Sequence, residues 1–238
     1  QRGLRPAETD PSFAEAWARF CEGDRITRHL VVIGIGTMAF AMADILLEPF
    51  GGEVLGLTVS ATTKLTALFA PGGLSGFAYA SVMLGRGGDA YRMAQMGAII
   101  GVPAFLMVML AAPVGMIAVF LAGNFLIGFG GALFAHGTLT ATMSRAPKEQ
   151  AGLALGAWGS VQATVAGVAM IASGAIRDVV NLLGGATEGL WGIPGAANGY
   201  MTVYAIEIVF LFLAITLAMP LIRRAVASSG TPAEARAR

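Results

Sequence analysis

From Met93 to Ser144 the chain runs fifty-two positions without an Asp, Glu, Lys or Arg. A water-soluble domain cannot carry such a stretch, because it needs charge on the faces it turns to water. A helix crossing the roughly 30 Å hydrocarbon core of a bilayer needs about 20 apolar residues. The stretch therefore holds two crossings, with Ala111-Ala112-Pro113-Val114-Gly115 as the turn between them. Composition agrees: 12% of the residues are charged and the mean hydropathy is +0.72, where globular domains carry about 25% charge. A net charge of +1 leaves no electrostatic footprint for nucleic acid. The lone Cys21 precludes an internal disulfide, and redox chemistry is not indicated.

Apolar runs divide the chain into six spans, at about 30–47, 59–84, 93–111, 115–142, 151–175 and 200–222. Within lipid every backbone polar group must be satisfied internally, so these are helices; the period-two alternation of a transmembrane barrel is absent. The expected fold is an all-α membrane protein with a six-span domain at 29–224, preceded by a polar segment at 1–28 and followed by a disordered tail at 225–238. In the leading segment Asp10 and Pro11, followed by Phe13, Trp17 and Phe20, read as a capped amphipathic helix. Of the fifteen basic residues, thirteen fall on one side of the six spans, Arg177 falls on the other, and Lys64 lies within span two. The positive-inside rule then puts both ends in the cytoplasm. The chain begins with Gln1 and has no short basic and apolar leader, so a piece of a longer protein is the simpler expectation.

Small residues let helix backbones approach where lipid supplies no hydrophobic drive. Gly152 and Gly156 form a small-xxx-small pair, and Gly123, Gly128, Gly131 and Gly137 crowd span four. Spans four and five are therefore expected to be interior helices. Gly34-Ile35-Gly36-Thr37-Met38-Ala39 matches a dinucleotide fingerprint, but it sits inside a span with no strand before it, which excludes that reading. No His, Cys or carboxylate cluster has metal-ligand spacing, and no serine sits in a nucleophile elbow, so the chain does not read as an enzyme.

What remains is polar side chains at depth, each costing at least about 2.5–3.5 kcal/mol when charged. Asp44, Lys64 and Glu207 lie within spans, with Glu48 at an outer edge. Asp44 and Glu48 are four apart and share a helical face. Pairing of either with Lys64 across the first hairpin is expected, as a structural lock or as a proton or ion relay that Glu207 could join. Asn124, His136 and Gln162 are neutral but equally deep. His136, roughly 13 Å from Arg145 at 1.5 Å per residue, suits either a hydrogen bond to a neighbouring helix or an axial bond to a metal held by a macrocycle. Trp158 falls near mid-membrane, where it packs or stacks on a flat ligand.

Several longer motifs carry a resemblance. Asp44-Ile45-Leu46-Leu47-Glu48-Pro49-Phe50-Gly51-Gly52 leads the first loop, and Ala61-Thr62-Thr63-Lys64-Leu65-Thr66-Ala67-Leu68 opens span two. Leu126-Ile127-Gly128-Phe129-Gly130-Gly131 runs on to His136-Gly137-Thr138-Leu139-Thr140-Ala141-Thr142-Met143, followed by Gly152-Leu153-Ala154-Leu155-Gly156-Ala157-Trp158-Gly159. Over about residues 20–225 these resemble the PucC/LhaA family, the bacteriochlorophyll-delivery branch of the major facilitator superfamily. The resemblance implies the C-terminal six-helix half of a twelve-helix bundle, with the N-terminal half of the same protein as a partner. It further implies assembly of light-harvesting antenna complexes in the inner (intracytoplasmic) membrane of a phototrophic bacterium. Antenna polypeptides and bacteriochlorophyll, or the enzymes that make it, would be the partners. The candidate pigment-facing set is then His136, Trp158, Gln162 and Asn124, with His136 as axial ligand to the chlorin magnesium. The alternative is a proton-coupled secondary transporter of a small molecule, using Asp44, Glu48, Lys64 and Glu207.

Overall fold

Proline 49 decides how the first span ends. Its ring excludes the carbonyl four residues back, that of Ile45, from a continuing helix. Helix α1 (Ile26–Asp44) accordingly stops, the chain turns at Ile45 and Leu46, and a short helix α2 (Leu47–Glu53) restarts with Pro49 in its first turn. A proline is tolerated there because first-turn N–H groups have no intrahelical partner. The other boundaries follow local chemistry as directly. Thr58 caps α3 (Val59–Gly85) by accepting from the Ala61 N–H at 3.3 Å, and Asp89 caps α4 (Ala90–Val114) by accepting from the Arg92 N–H at 2.7 Å. At the end of α4, Gly115 takes φ 66°. The N–H of Gly115 then reaches the Ala112 carbonyl and that of Met116 the Ala111 carbonyl, which satisfies two orphan acceptors and reverses the chain in two residues. Helices α5 (Ile117–Arg145), α6 (Ala151–Gly184) and α7 (Ala197–Ser229) complete the fold.

The structure is a computed structural model and describes residues 26–146, 150–184, 195 and 197–229. The expected amphipathic helix near Asp10 and the end of the tail lie outside the described residues. Six helical segments are long and apolar enough to cross a membrane, the first being α1 with α2, and no strand occurs among the described residues. Their bounds extend the expected spans by a few residues; α6 reaches Gly184 and α7 reaches Ser229.

The packing order explains how a cavity forms. Helix α1 lies against α6 and α7, α5 lies against α3 and α4, and α4 meets α7. The first helix of each triplet thus packs on the second and third helices of the other triplet, the interlocked three-plus-three arrangement of one major-facilitator half. Direct contact of α5 with α6, and of α1 with α5, is sparse. A cleft is left between those pairs.

Helix α5 is an interior helix, and its glycines are the reason. Gly123, Gly130 and Gly137 recur every seven residues on the face toward α4. A Cβ at Gly137 would stand 2.5 Å from the Ala94 nitrogen and 2.7 Å from the Ala90 carbonyl, and one at Gly130 2.8 Å from the Gly97 carbonyl. A second face meets α3, where a Cβ on Gly76 would fall 2.5 Å from the Phe129 carbonyl and one on Gly128 2.6 Å from the Phe69 carbonyl. Helix α6 differs from the expectation of an interior helix. Gly152 and Gly156 meet nothing within 4 Å, nor do Gly159 and Gly167, and Leu155, Val168, Ile171 and Leu182 on the same helix are exposed. Small-residue spacing marks a face suited to close approach, but the described residues do not supply the neighbour.

Candidate functional site

Four helices each turn one face to a cavity of about 290 Å³. Helix α1 contributes Thr37, Phe40, Ala41 and Asp44, spaced by three and four residues as one helical face requires. Helix α3 contributes Phe69, Gly73 and Phe77, and α6 contributes Gln162 and Ala166. From α5 come Gly128, Gly131, Ala132 and Ala135, with Phe134 at the edge. The α5 face is nearly bare of side chain, so it forms a flat floor between aromatic walls. Gly36 supports this from behind: the Phe134 ring lies where its Cβ would be, so the glycine lets that ring pack across α1. The glycines that mimic a dinucleotide fingerprint are thus packing positions.

Polar atoms in the cavity are few. Thr37 is 7% exposed, and its hydroxyl has no hydrogen-bond partner among the described residues; the Gln162 amide nitrogen is likewise buried and unpartnered. Asp44 is exposed on the cavity wall. Glu207 of α7 is wholly buried, and neither of its carboxyl oxygens has a hydrogen-bond partner among the described residues. Helix α1, which carries Asp44, packs against α7, which carries Glu207. The fold therefore sets two of the four expected intramembrane charges on helices that pack together. It does not bring in the others. Lys64 is exposed on α3, and no ion pair joins it to Asp44 among the described residues. The break at Pro49 moves Glu48 onto α2, off the helix that carries Asp44.

The expected pigment-facing residues separate in a similar way. Gln162 lines the cavity. His136 flanks the floor toward α3, where its ring meets Phe77 edge-on at 5.7 Å between centroids. Trp158 approaches the other flank, donating its indole N–H to the Thr138 hydroxyl at 3.2 Å. Thr138 is two residues from His136, about 200° around α5, so the two rings do not face one another. Asn124 is buried a turn beyond Gly128 and outside the lining. Gly131 meets the Phe40 ring in the cavity wall, at 3.4 Å from where its Cβ would be. Among the described residues no group of His, Cys, Asp or Glu could hold a metal ion by itself.

A second polar site escaped the sequence reading. At the end of the bundle that carries most of the basic residues, His29 of α1 is fully buried between α4 and α5. The Thr142 hydroxyl donates to the Thr138 carbonyl at 2.7 Å, so it must accept from His29, whose Nε2 lies 2.7 Å away. With Nε2 protonated, Nδ1 is an acceptor, and the Tyr91 hydroxyl donates to it at 2.9 Å. Arg145 stands over the Tyr91 ring, 4.9 Å from its centroid. The partners of His29 are 62 and 113 residues away in sequence, so no local signal could have revealed them. At the opposite end, Tyr200 donates to Glu53 at 2.8 Å and accepts from Arg177 at 3.0 Å, tying α2, α6 and α7. Helix α1 with its continuation α2 is thus anchored at both ends, and its middle carries Thr37, Phe40 and Asp44 to the cavity.

Comparison with known proteins accounts for this architecture. A family model described as PUCC protein matches residues 2–226. Protein PucC of Cereibacter sphaeroides is 52% identical over 93% of this chain and 47% of its own length. Protein PucC of Rhodovulum sulfidophilum is 53% identical over 74% of this chain and 38% of its own length. An uncharacterized protein encoded in the puhA-bchM intergenic region of Rhodobacter capsulatus is 41% identical over 89% of this chain and 44% of its own length. The chain spans about half the length of the curated relatives it matches. With six membrane-crossing helices packed as one major-facilitator half and this match along nearly its whole length, the chain belongs to the PucC protein family.

Proposed function

We propose that the protein containing this chain serves the assembly of light-harvesting antenna complexes in the inner membrane of a phototrophic bacterium, and that the cavity between α1, α3, α5 and α6 receives bacteriochlorophyll as cargo for antenna polypeptides. The observation that carries this reading is the shape and chemistry of the cavity. A Gly/Ala floor, walls formed by Phe40, Phe69, Phe77 and Phe134, and few polar atoms suit a flat, largely apolar ring. At about 290 Å³ the cavity lies at the lower bound of ligand sites, roughly 300–1,000 Å³. A large pigment would therefore extend toward the exposed faces of α3 and α6, where the N-terminal half of the protein is expected to complete the site. His136 supports the reading, since its ring is partly exposed beside Phe77. A neutral imidazole there can supply the one axial ligand that a chlorin magnesium accepts.

The test fills the cavity without disturbing the packed backbone. In the full-length protein, Ala135→Phe and Ala166→Phe are expected to leave membrane abundance near normal. Bacteriochlorophyll that co-purifies with the protein, and the antenna complex in the cell, should both fall at least tenfold. His136→Phe should lower bound pigment likewise if the imidazole is the axial ligand; normal retention would remove it from the site. Normal antenna levels in both cavity-filled variants would overturn the reading. Proton-coupled transport of a small molecule is the second reading, favoured by Asp44 in the cavity lining and by Glu207, buried with no hydrogen-bond partner among the described residues. Proton-driven uptake by proteoliposomes, with no pigment bound, would decide for it.

We further propose that the end rich in Arg and Lys faces the cytoplasm, because thirteen of fifteen basic residues cluster there. Reporter fusions after Arg224 should show cytoplasmic activity, and fusions within 184–195 periplasmic exposure. The reverse pattern would refute this orientation.

A further inference from the structure

Two buried polar groups of the cavity lining have no hydrogen-bond partner among the described residues: the Thr37 hydroxyl of α1 and the Gln162 side-chain nitrogen of α6. A hydroxyl inside a helix ordinarily donates to a backbone carbonyl of the preceding turn. Ser75 on α3, Thr138 and Thr142 on α5, Ser173 on α6 and Thr216 on α7 all do so, at 2.7 to 3.0 Å. Thr37 does not, although it is only 7% exposed. Native proteins pair nearly all their buried polar groups, because an unpaired one is unfavourable. The helices set both groups along one edge of the cavity. A Cβ on Gly34, one turn before Thr37, would stand 3.7 Å from Val165 Cγ2 and 3.8 Å from Val161 Cγ1, so α1 meets α6 on either side of Gln162. The other polar side chain of the lining, Asp44, lies seven residues beyond Thr37, roughly 10 Å along α1.

We propose that Thr37 and Gln162 are the donors by which the cavity selects its ligand, each giving a hydrogen bond to a carbonyl or ester oxygen on the rim of a flat, otherwise apolar ring. Given the pigment reading of the cavity, on which this assignment rests, the two donors supply what shape alone does not: a means to prefer one flat ring over another. The Gly/Ala floor and the phenylalanine walls accept any planar apolar ring. Apolar contact discriminates weakly, whereas a site built to hydrogen-bond a group rejects an analogue lacking it, because its own buried polar groups then stay unpaired. Carbonyl and ester oxygens only accept, so the protein must donate. The Gln162 nitrogen carries two N–H donors and no acceptor, and the Thr37 hydroxyl carries one O–H. With no carbonyl of its own helix to serve, that O–H is available to the ligand. Bacteriochlorophyll bears such oxygens around its ring in acetyl, keto and ester groups; a porphyrin with only alkyl substituents bears none.

Binding titrations of the full-length protein in lipid nanodiscs test this, with two probes: bacteriochlorophyll, and magnesium octaethylporphyrin, a flat ring with the same metal and only ethyl groups on its rim. Thr37→Val and Gln162→Leu should each weaken bacteriochlorophyll binding roughly threefold to tenfold, as loss of one hydrogen bond implies, and the double variant about tenfold or more. Affinity for octaethylporphyrin should stay unchanged in all three, and Thr37→Ser should bind bacteriochlorophyll as the unaltered protein does. In resonance Raman spectra of the bound pigment, a carbonyl stretch lowered by hydrogen bonding should return to its free position in at least one of the two single variants. Without ligand, Thr37→Val should melt no lower than the unaltered protein, because a hydroxyl that donates to nothing in the protein can be removed without loss. A lower melting temperature would show that the hydroxyl already serves a structural partner and would overturn its assignment. Equal bacteriochlorophyll binding by all variants, or equal weakening of both probes, would overturn the proposal and leave the pigment reading standing. An unaltered protein that binds neither probe would overturn both.

Discussion

Alanine at Gly97 is expected to cost the protein much of its stability, and leucine there to eliminate the folded form from the membrane. A Cβ on Gly97 would press on the Gly130 carbonyl, stand 2.6 Å from the Phe134 nitrogen and 3.0 Å from the Leu133 Cβ. Two of these are backbone atoms of α5, which no rotamer change can move aside. Overpacking a core costs about 1–3 kcal/mol and occasionally more, and a clash of backbone with backbone belongs at the upper end. It outweighs the gain of roughly 1 kcal/mol in helix propensity that alanine brings over glycine. Gly137→Ala should behave alike. Gly156→Ala makes the contrast, since its Cβ meets nothing within 4 Å and only the propensity gain remains. Membrane abundance and thermal melting of the three variants check this. Wild-type melting of Gly97→Ala would refute the close crossing of α4 and α5. A loss at Gly156 would instead show that residues outside this bundle cover the stripe on α6.

That contrast also marks what a sequence of this kind discloses. The spans were legible because length and hydropathy alone set them, and the caps at Thr58, Asp89 and Gly115 are written in local chemistry. The glycines announced close approach but not to which helix, so Gly128 and Gly152 read alike although, among the described residues, only Gly128 packs on a neighbour. Pairing of Asp44 with Lys64 was a reasonable expectation for two helices joined by a short loop. Among the described residues no such pair is present: α1 turns Asp44 to the cavity, while Lys64 lies on an exposed face of α3. Asp44 and Glu207 lie on the first and last helices, and only the interlocked packing sets those helices side by side. Of the candidate cavity residues, Gln162 and Gly131 were recognisable as deep and polar or deep and small. Thr37, Phe40 and Phe77 were not, since a threonine or phenylalanine in a span carries no mark of the cavity it faces.

His29 offers the second large effect. Its ring joins α1 to α4 and α5 through a directed chain: the Tyr91 hydroxyl to Nδ1, Nε2–H to the Thr142 hydroxyl, and Thr142 to the Thr138 carbonyl. The Thr138 hydroxyl is a further junction, accepting the Trp158 indole N–H while donating to the Phe134 carbonyl at 2.9 Å. His29→Leu keeps approximate bulk but removes the acceptor that serves Tyr91, leaving a buried hydroxyl without its partner. Such a loss costs about 1–3 kcal/mol. Thr142 fares better, because its own donation to the Thr138 carbonyl persists. Tyr91→Phe alone removes the donor and leaves Nδ1 unpaired, yet in the His29→Leu background it relieves the orphaned hydroxyl. The double variant should therefore be more stable than the sum of the two losses implies, by at least about 0.5 kcal/mol, the lower bound for coupled neighbours. Thermal or denaturant unfolding of the four proteins in detergent supplies the cycle. If the losses simply add, the relay does not tie α1 to α4, and helix packing alone must hold the basic end of the bundle closed.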